Sequence, residues 1–265
     1  MRGDNARRRD YRAPVVIEAG SLEYAHARLC ARFGDRPDEL AWRRIEMIRE
    51  LDAMLDVARA TPLGAWIVRI APDTDVHAVE REMRVHWHER VAAIAAWMPS
   101  AWRASIEWCG LVMDLPVLQH VARGGATPRG WRDDPLRGGR AESAARGEAE
   151  HALFLATTRA DPDRIASVWR AEWTRRLPPH RGGSSLLAET VRLIAEHLTA
   201  FREPRHVDGW ALRRALHARL SQLFRRATLD PAEAFIFLAL SALDFERLRG
   251  EILRRVAFPR LPLAP

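Results

Sequence analysis

The chain has 265 residues, 48% hydrophobic and 29% charged, with a net charge of +7. That is enough for a sizeable buried core, in one large domain or a few small lobes. Its basic side chains other than histidine are all arginine, which excludes chemistries that need a lysine: the Walker P-loop, protein kinases and Schiff-base pyridoxal enzymes. Two readings of the arginine usage stay open: GC-rich coding, or selection for planar guanidinium forks that bind phosphate. The two cysteines, Cys30 and Cys109, lie far apart. They argue against a disulfide scaffold or a cysteine-based zinc site and fit a reducing cytoplasm.

In chain order, residues 1–20 read as a disordered basic arm, without the apolar core and cleavage site of a secretory signal. Ser21 opens a helix that stops around Gly34. Residues 38–60 form one amphipathic helix on Ile45, Ile48, Leu51, Leu55 and Ala58, ended by Thr61-Pro62-Leu63-Gly64. Asp73 or Asp75 caps a long helix whose stripe is Val76, Val79, Met83, Trp87, Val91, Ile94 and Met98. Pro99 ends it and Ser100 caps the helix that carries Ile106 and the apolar run to Met113. Asp114 then reads as the cap of a short helix, 115–123, closed by Gly124-Gly125.

Residues 125–147 are rich in Gly, Arg and Pro and read as a linker or loop between helical lobes at 21–124 and 148–257. In the second lobe, helices are expected at 148–160, at 163–177 on Ile165, Trp169, Trp173 and Leu177, and at 184–202 on Leu187, Val191, Ile194, Leu198 and Phe201. One more, 208–226, is carried by Leu212, Leu216, Leu220 and Leu223. Asp230-Pro231-Ala232-Glu233 is a strong helix start, and the helix it opens is apolar on all sides through Leu243, as a buried core helix is. Residues 258–265 form a Pro-rich tail. Only Val15–Ile17 and Trp66–Ile70 have any strand character, so the chain is read as all-α. The longest apolar stretch, 234–243, is half the ~20 residues of a spanning helix, so a cytoplasmic protein is expected.

Two stretches echo each other. In Ile106–Gly124 and Ile236–Leu248 an Asp follows an Ile by eight residues and a Leu follows the Asp by four: Asp114 with Leu118, Asp244 with Leu248. An acid beside an apolar run can be a general acid with a raised pKa. A matching pair in two lobes is more simply a repeated cap, and both acids are read so. His86 and His88 are two apart on a helix, diverge, and cannot chelate a metal together. Cys30 or Cys109 could be a nucleophile only beside a histidine that lowers its pKa. The recurrent arginine pairs carry a nucleic-acid reading only if they cluster on one surface.

With these residues in view the chain resembles the C-type subunit of the archaeal and bacterial A/V-type rotary ATPases, whose eukaryotic V-ATPase counterpart is the d-type subunit. The resemblance lies in Tyr24-Ala-His-Ala-Arg28, in Thr61-Pro62-Leu63-Gly64, in Asp114 to Leu118 running on to Arg123-Gly124, and in Asp244-Phe-Glu-Arg-Leu248-Arg249. It covers residues 21–124 and about 208–257. The chain departs from the family in being shorter, and in having no Gly after Ile252-Leu253-Arg254. The resemblance implies a multi-lobed helical funnel with no catalytic residue, metal or cofactor of its own. Such a protein sits peripherally on the cytoplasmic side of the membrane, partnered by the rotor shaft and the membrane rotor ring. The alternative is an arginine-rich helical module that binds nucleic acid or protein.

Overall fold

Every regular element in the computed structural model is helical, over the residues it describes: 19–127, 156, 161–179, 185–202 and 208–258. The helices are α1 (Leu22–Gly34), α2 (Glu39–Met47), α3 (Leu51–Arg59), α4 (Val76–Trp97), α5 (Ser100–Glu107), α6 (Leu115–Ala122), α7 (Ile165–Arg175), α8 (Ser185–Arg202), α9 (Gly209–Arg226) and α10 (Ala232–Ala257). Short 3-10 segments lie at Pro62–Trp66, Trp108–Asp114 and Pro162–Arg164. No helix among the described residues is long and apolar enough to cross a membrane. The expected arm (all but its last two residues), Val15–Ile17, nearly all of the 125–147 loop and of the 148–160 helix, and the tail beyond Phe258 lie outside the described residues.

The starts of these helices follow local chemistry. The side chains of Ser21, Asp38, Asp75 and Asp208 each accept a backbone N–H of the first turn that follows, at α1, α2, α4 and α9. Asp230 accepts Ala232 N–H at 2.8 Å ahead of α10. Ser100 does not cap α5: Pro99 holds that position, and no side chain bonds the first turn. Thr61 works as expected, its hydroxyl accepting Leu63 N–H at 3.2 Å and donating to Ala58 O at 2.7 Å. Gly64 is required there, because a Cβ would stand 2.6 Å from the carbonyl oxygen of Arg59. Gly124, at φ +84°, takes the left-handed turn that closes α6.

Helix α10, 26 residues and about 39 Å long, is the element on which the others pack. It lies against α1, α3, α4, α8 and α9. Its Phe237, Phe245, Leu248 and Ile252 are buried together with Trp87 and Ile94 of α4, Leu29 of α1 and Leu220 of α9. One hydrophobic core therefore runs through both helical stretches, 21–124 and 148–257. Trp66 and Trp87 meet the Phe245 ring edge-on at 5.3 and 6.2 Å between centroids. Trp108 and Trp169 each donate an indole N–H to the other's carbonyl, at 3.1 and 3.3 Å, which fastens α7 to the 3-10 segment.

Four elements differ from the sequence reading. The helix expected over 38–60 is two, broken where Ile48 turns extended. The break is held from outside: Arg255 of α10 donates to the carbonyls of Ile45, Glu46 and Ile48, placing a cation at the C-terminal end of α2. The apolar run after Ile106 is not α-helical but 3-10 from Trp108 to Asp114, where the Trp87 indole N–H is shared between the carbonyls of Cys109 and Gly110. Trp66–Ile70 is no strand; Trp66 ends a 3-10 segment and the residues after it run on as a turn. On α8 the buried face is Leu187, Thr190 and Leu193, while Leu198 is exposed. The Thr190 hydroxyl is satisfied by donating to Leu186 O at 2.7 Å, which lets the stripe rotate onto it.

Candidate functional site

The two acids that mark the sequence echo are not caps. Asp114 makes no capping bond. Its carboxylate is buried and turned back onto α4, 3.5 Å from Arg84 Nη1 and 3.1 Å from His88 Nε2. Those partners are four apart in sequence and so share one helix face. Asp244 lies in mid-helix on α10, where no cap can form. It accepts from Arg36 Nε at 2.8 Å and faces Arg36 Nη2 at 2.7 Å. The two copies of Asp-x-x-x-Leu thus differ in backbone, one at a 3-10 junction and one inside a long helix. What they share is a buried carboxylate held by an arginine, followed by a core leucine, Leu118 or Leu248.

Around Asp244 the charges form a network. Arg36 also approaches His217 Nε2 at 2.7 Å. Burial, with Arg36 and Arg247 nearby, pushes the His217 pKa down to about 4. The ring is therefore neutral near pH 7, with Nε2 free to accept from Arg36. Burial pushes the Asp244 carboxyl up, and Arg36 and Arg90 oppose that. Burial also lowers Arg90 to about 10, with its guanidinium 4.2 Å over the Trp66 ring. Arg247 bridges from α10 to Glu39 and Glu46 of α2, and its bond holds the Glu39 carboxyl below its usual range.

Each remaining motif residue has a structural place. Arg249 grips Glu80 of α4 at 2.8 Å through Nε. Arg28 lies 6.0 Å over the Tyr24 ring and 5.1 Å over Trp97, an exposed cation clasped by two aromatic faces. Arg123 pairs with Asp163, joining the end of α6 to the turn before α7. Thr61, Pro62 and Gly64 form the stop after α3. The motif residues are spread through the body and converge on no common cavity. His86 and His88 do diverge: His86 Nδ1 meets Glu89 at 3.0 Å and His88 meets Asp114.

A convergent cluster does exist where the sequence reading placed none. His26 and Cys30, one turn apart on α1, meet Glu233 in the first turn of α10. His26 Nδ1 lies 2.8 Å from Glu233 Oε2, Cys30 Sγ is 3.7 Å from both ring nitrogens, and Sγ is 3.6 Å from Glu233 Oε1. Equal distances to both nitrogens put the sulfur beside the ring, off the line along which a nitrogen would take its proton. Burial and the Glu233 carboxylate push the thiol up, the opposite of what a nucleophile needs. Burial raises the Glu233 carboxyl too, and His26 opposes it. The i, i+4 spacing of His26 and Cys30 was visible in the sequence; Glu233, some two hundred residues on, was not. Cys109, buried and pushed up to about 12 by that burial, is a core residue as expected.

No family model, curated protein or solved structure matches the chain.

Proposed function

We propose that the chain is a non-catalytic helical connector that holds protein partners on its outer surface. The observation that carries this reading is α10: a buried helix tied by core contacts to α1 and α4, and by Asp244, Arg247, Arg249 and Arg255 to the α1–α2 connection, α2 and α4. Buried ion pairs cost desolvation and are weak devices for stability alone; fixing one arrangement of packed helices is their better-attested use. A body that passes force or position between partners needs that stiffness. Leu40 and Met47 stand exposed on the outer side of α2, next to exposed Arg43 and Arg44, a mixed apolar and basic face suited to a protein partner.

In its most specific form, and resting on the sequence resemblance, the connector belongs to a V/A-type rotary ATPase, between the rotor shaft and the membrane ring. Its membrane association is then peripheral, through the assembly. Affinity capture of the tagged chain from its native cells, after in-cell cross-linking, tests this. Shaft and ring proteins should be recovered together; a cross-linked set containing neither removes the rotary reading.

The nucleic-acid alternative draws less support. Arg36, Arg84, Arg247, Arg249 and Arg255 are engaged with carboxylates inside the fold and take no part in a phosphate-binding face. Titration with duplex DNA and RNA at two salt concentrations should show no salt-dependent binding; a steep salt slope would favour that alternative.

A further inference from the structure

We propose that His26, Cys30 and Glu233 form a binding site for one borderline-soft divalent cation of the zinc class, clipping α1 to the start of α10. The donor set is one imidazole nitrogen, one thiol sulfur and one carboxylate oxygen, all within 4.8 Å of one another. Such a mixed nitrogen, sulfur and oxygen set suits zinc and is foreign to magnesium or calcium.

Two of the three donor spacings already fit. With ordinary zinc bond lengths, two donors on a tetrahedral ion stand about 3.6 Å apart for sulfur with nitrogen or oxygen, and about 3.4 Å for nitrogen with oxygen. Here the sulfur stands 3.7 Å from His26 Nδ1 and 3.6 Å from Glu233 Oε1. The His26–Glu233 pair, 2.9 Å apart at Nδ1 and the same Oε1, must widen as a metal replaces the bridging proton, and the ring must turn so that Nδ1 faces the ion and Nε2 moves away from the sulfur. Two donors come from one helix face four residues apart, and the third comes from the rigid first turn of the core helix. Cys30 is exposed and His26 partly so, which leaves an approach for the ion and a fourth position for water.

The charge pattern points the same way. Asp114 and Asp244 are buried acids that each hold an arginine. Glu233 is as deeply buried, at 2% exposure, and its side-chain partners are the imidazole and the thiol. A bound dication would give this acid the fixed positive partner the other two have. Loading releases the thiol proton, and that of the imidazole when it is charged, to solvent.

The test uses the full chain and cobalt(II) as a spectroscopic stand-in for zinc, followed by zinc competition. One cobalt per chain should bind with a thiolate-to-cobalt charge-transfer band and four-coordinate visible bands, and zinc should bleach both. Cys30→Ser, an exposed change that leaves the fold intact by circular dichroism, should remove the charge-transfer band and weaken binding by more than about 100-fold, beyond what an outer-sphere partner contributes. Glu233→Gln should weaken binding with the band retained at saturation, and Cys109→Ala should change neither. Absence of the band in the wild-type chain, or its survival in Cys30→Ser, overturns the proposal. In the first case the cluster is a metal-free histidine–carboxylate pair.

Discussion

His217 and Leu229 show how single side chains are set by what surrounds them. His217 is held neutral, with its pKa lowered to about 4 by burial and two arginines, against about 6.5 in an unfolded chain. Between those values the unfolded state binds the proton more readily, so the His217 contribution to stability is present above pH 6.5 and is lost as pH falls to 4. Denaturant melts across that window should be flatter in His217→Gln than in the wild type. An equally steep wild-type and variant profile would mean the ring is not held neutral. Glu233 and Asp244, whose carboxyls are raised, act with the opposite sign below neutrality. Leu229, exposed in the turn before α10, carries φ +57°, a conformation that costs a side chain about 1 kcal/mol. Leu229→Gly should therefore cost no stability or gain up to about 1 kcal/mol in urea melts, whereas a loss above about 1 kcal/mol would mean its contacts outweigh the strain.

At the scale of elements, the buried pair of Arg36 and Asp244 joins the α1–α2 connection to α10. Removing one partner leaves an uncompensated charge, so Arg36→Ala should destabilise by about 3–5 kcal/mol. Asp244→Asn should behave similarly through Arg36, and the double variant should be less than the sum of the two. A fully additive cycle would show that the pair is not coupled. Much of the helical plan was legible: the α4 stripe from Val79 to Met98 is buried as read, and so is the apolar first half of α10. The caps Ser21 and Asp75, the latter as one of two candidates, were legible because capping is local. Asp114 and Asp244 were not, because an acid next to an apolar run looks the same whether it accepts a neighbouring N–H or an arginine from elsewhere. The α2–α3 break was hidden for the same reason: its cause, Arg255, lies some two hundred residues downstream. The cluster at His26 was half legible, through its four-residue spacing, and needed the fold to supply Glu233.

Over the described residues the two helical stretches share one core through α10, a close packing that stiffens the body they form. The connector reading depends on that stiffness, since a hinge between independent lobes would absorb the force or displacement to be passed on. Native-state hydrogen exchange, followed by mass spectrometry in increasing denaturant, measures it directly. Amides of α4, α9 and α10 should exchange at one common free energy, the global unfolding value, and merge into a single isotherm. Separate isotherms, with α4 opening well below α9 and α10, would contradict the single stiff body and divide the chain into independently unfolding lobes.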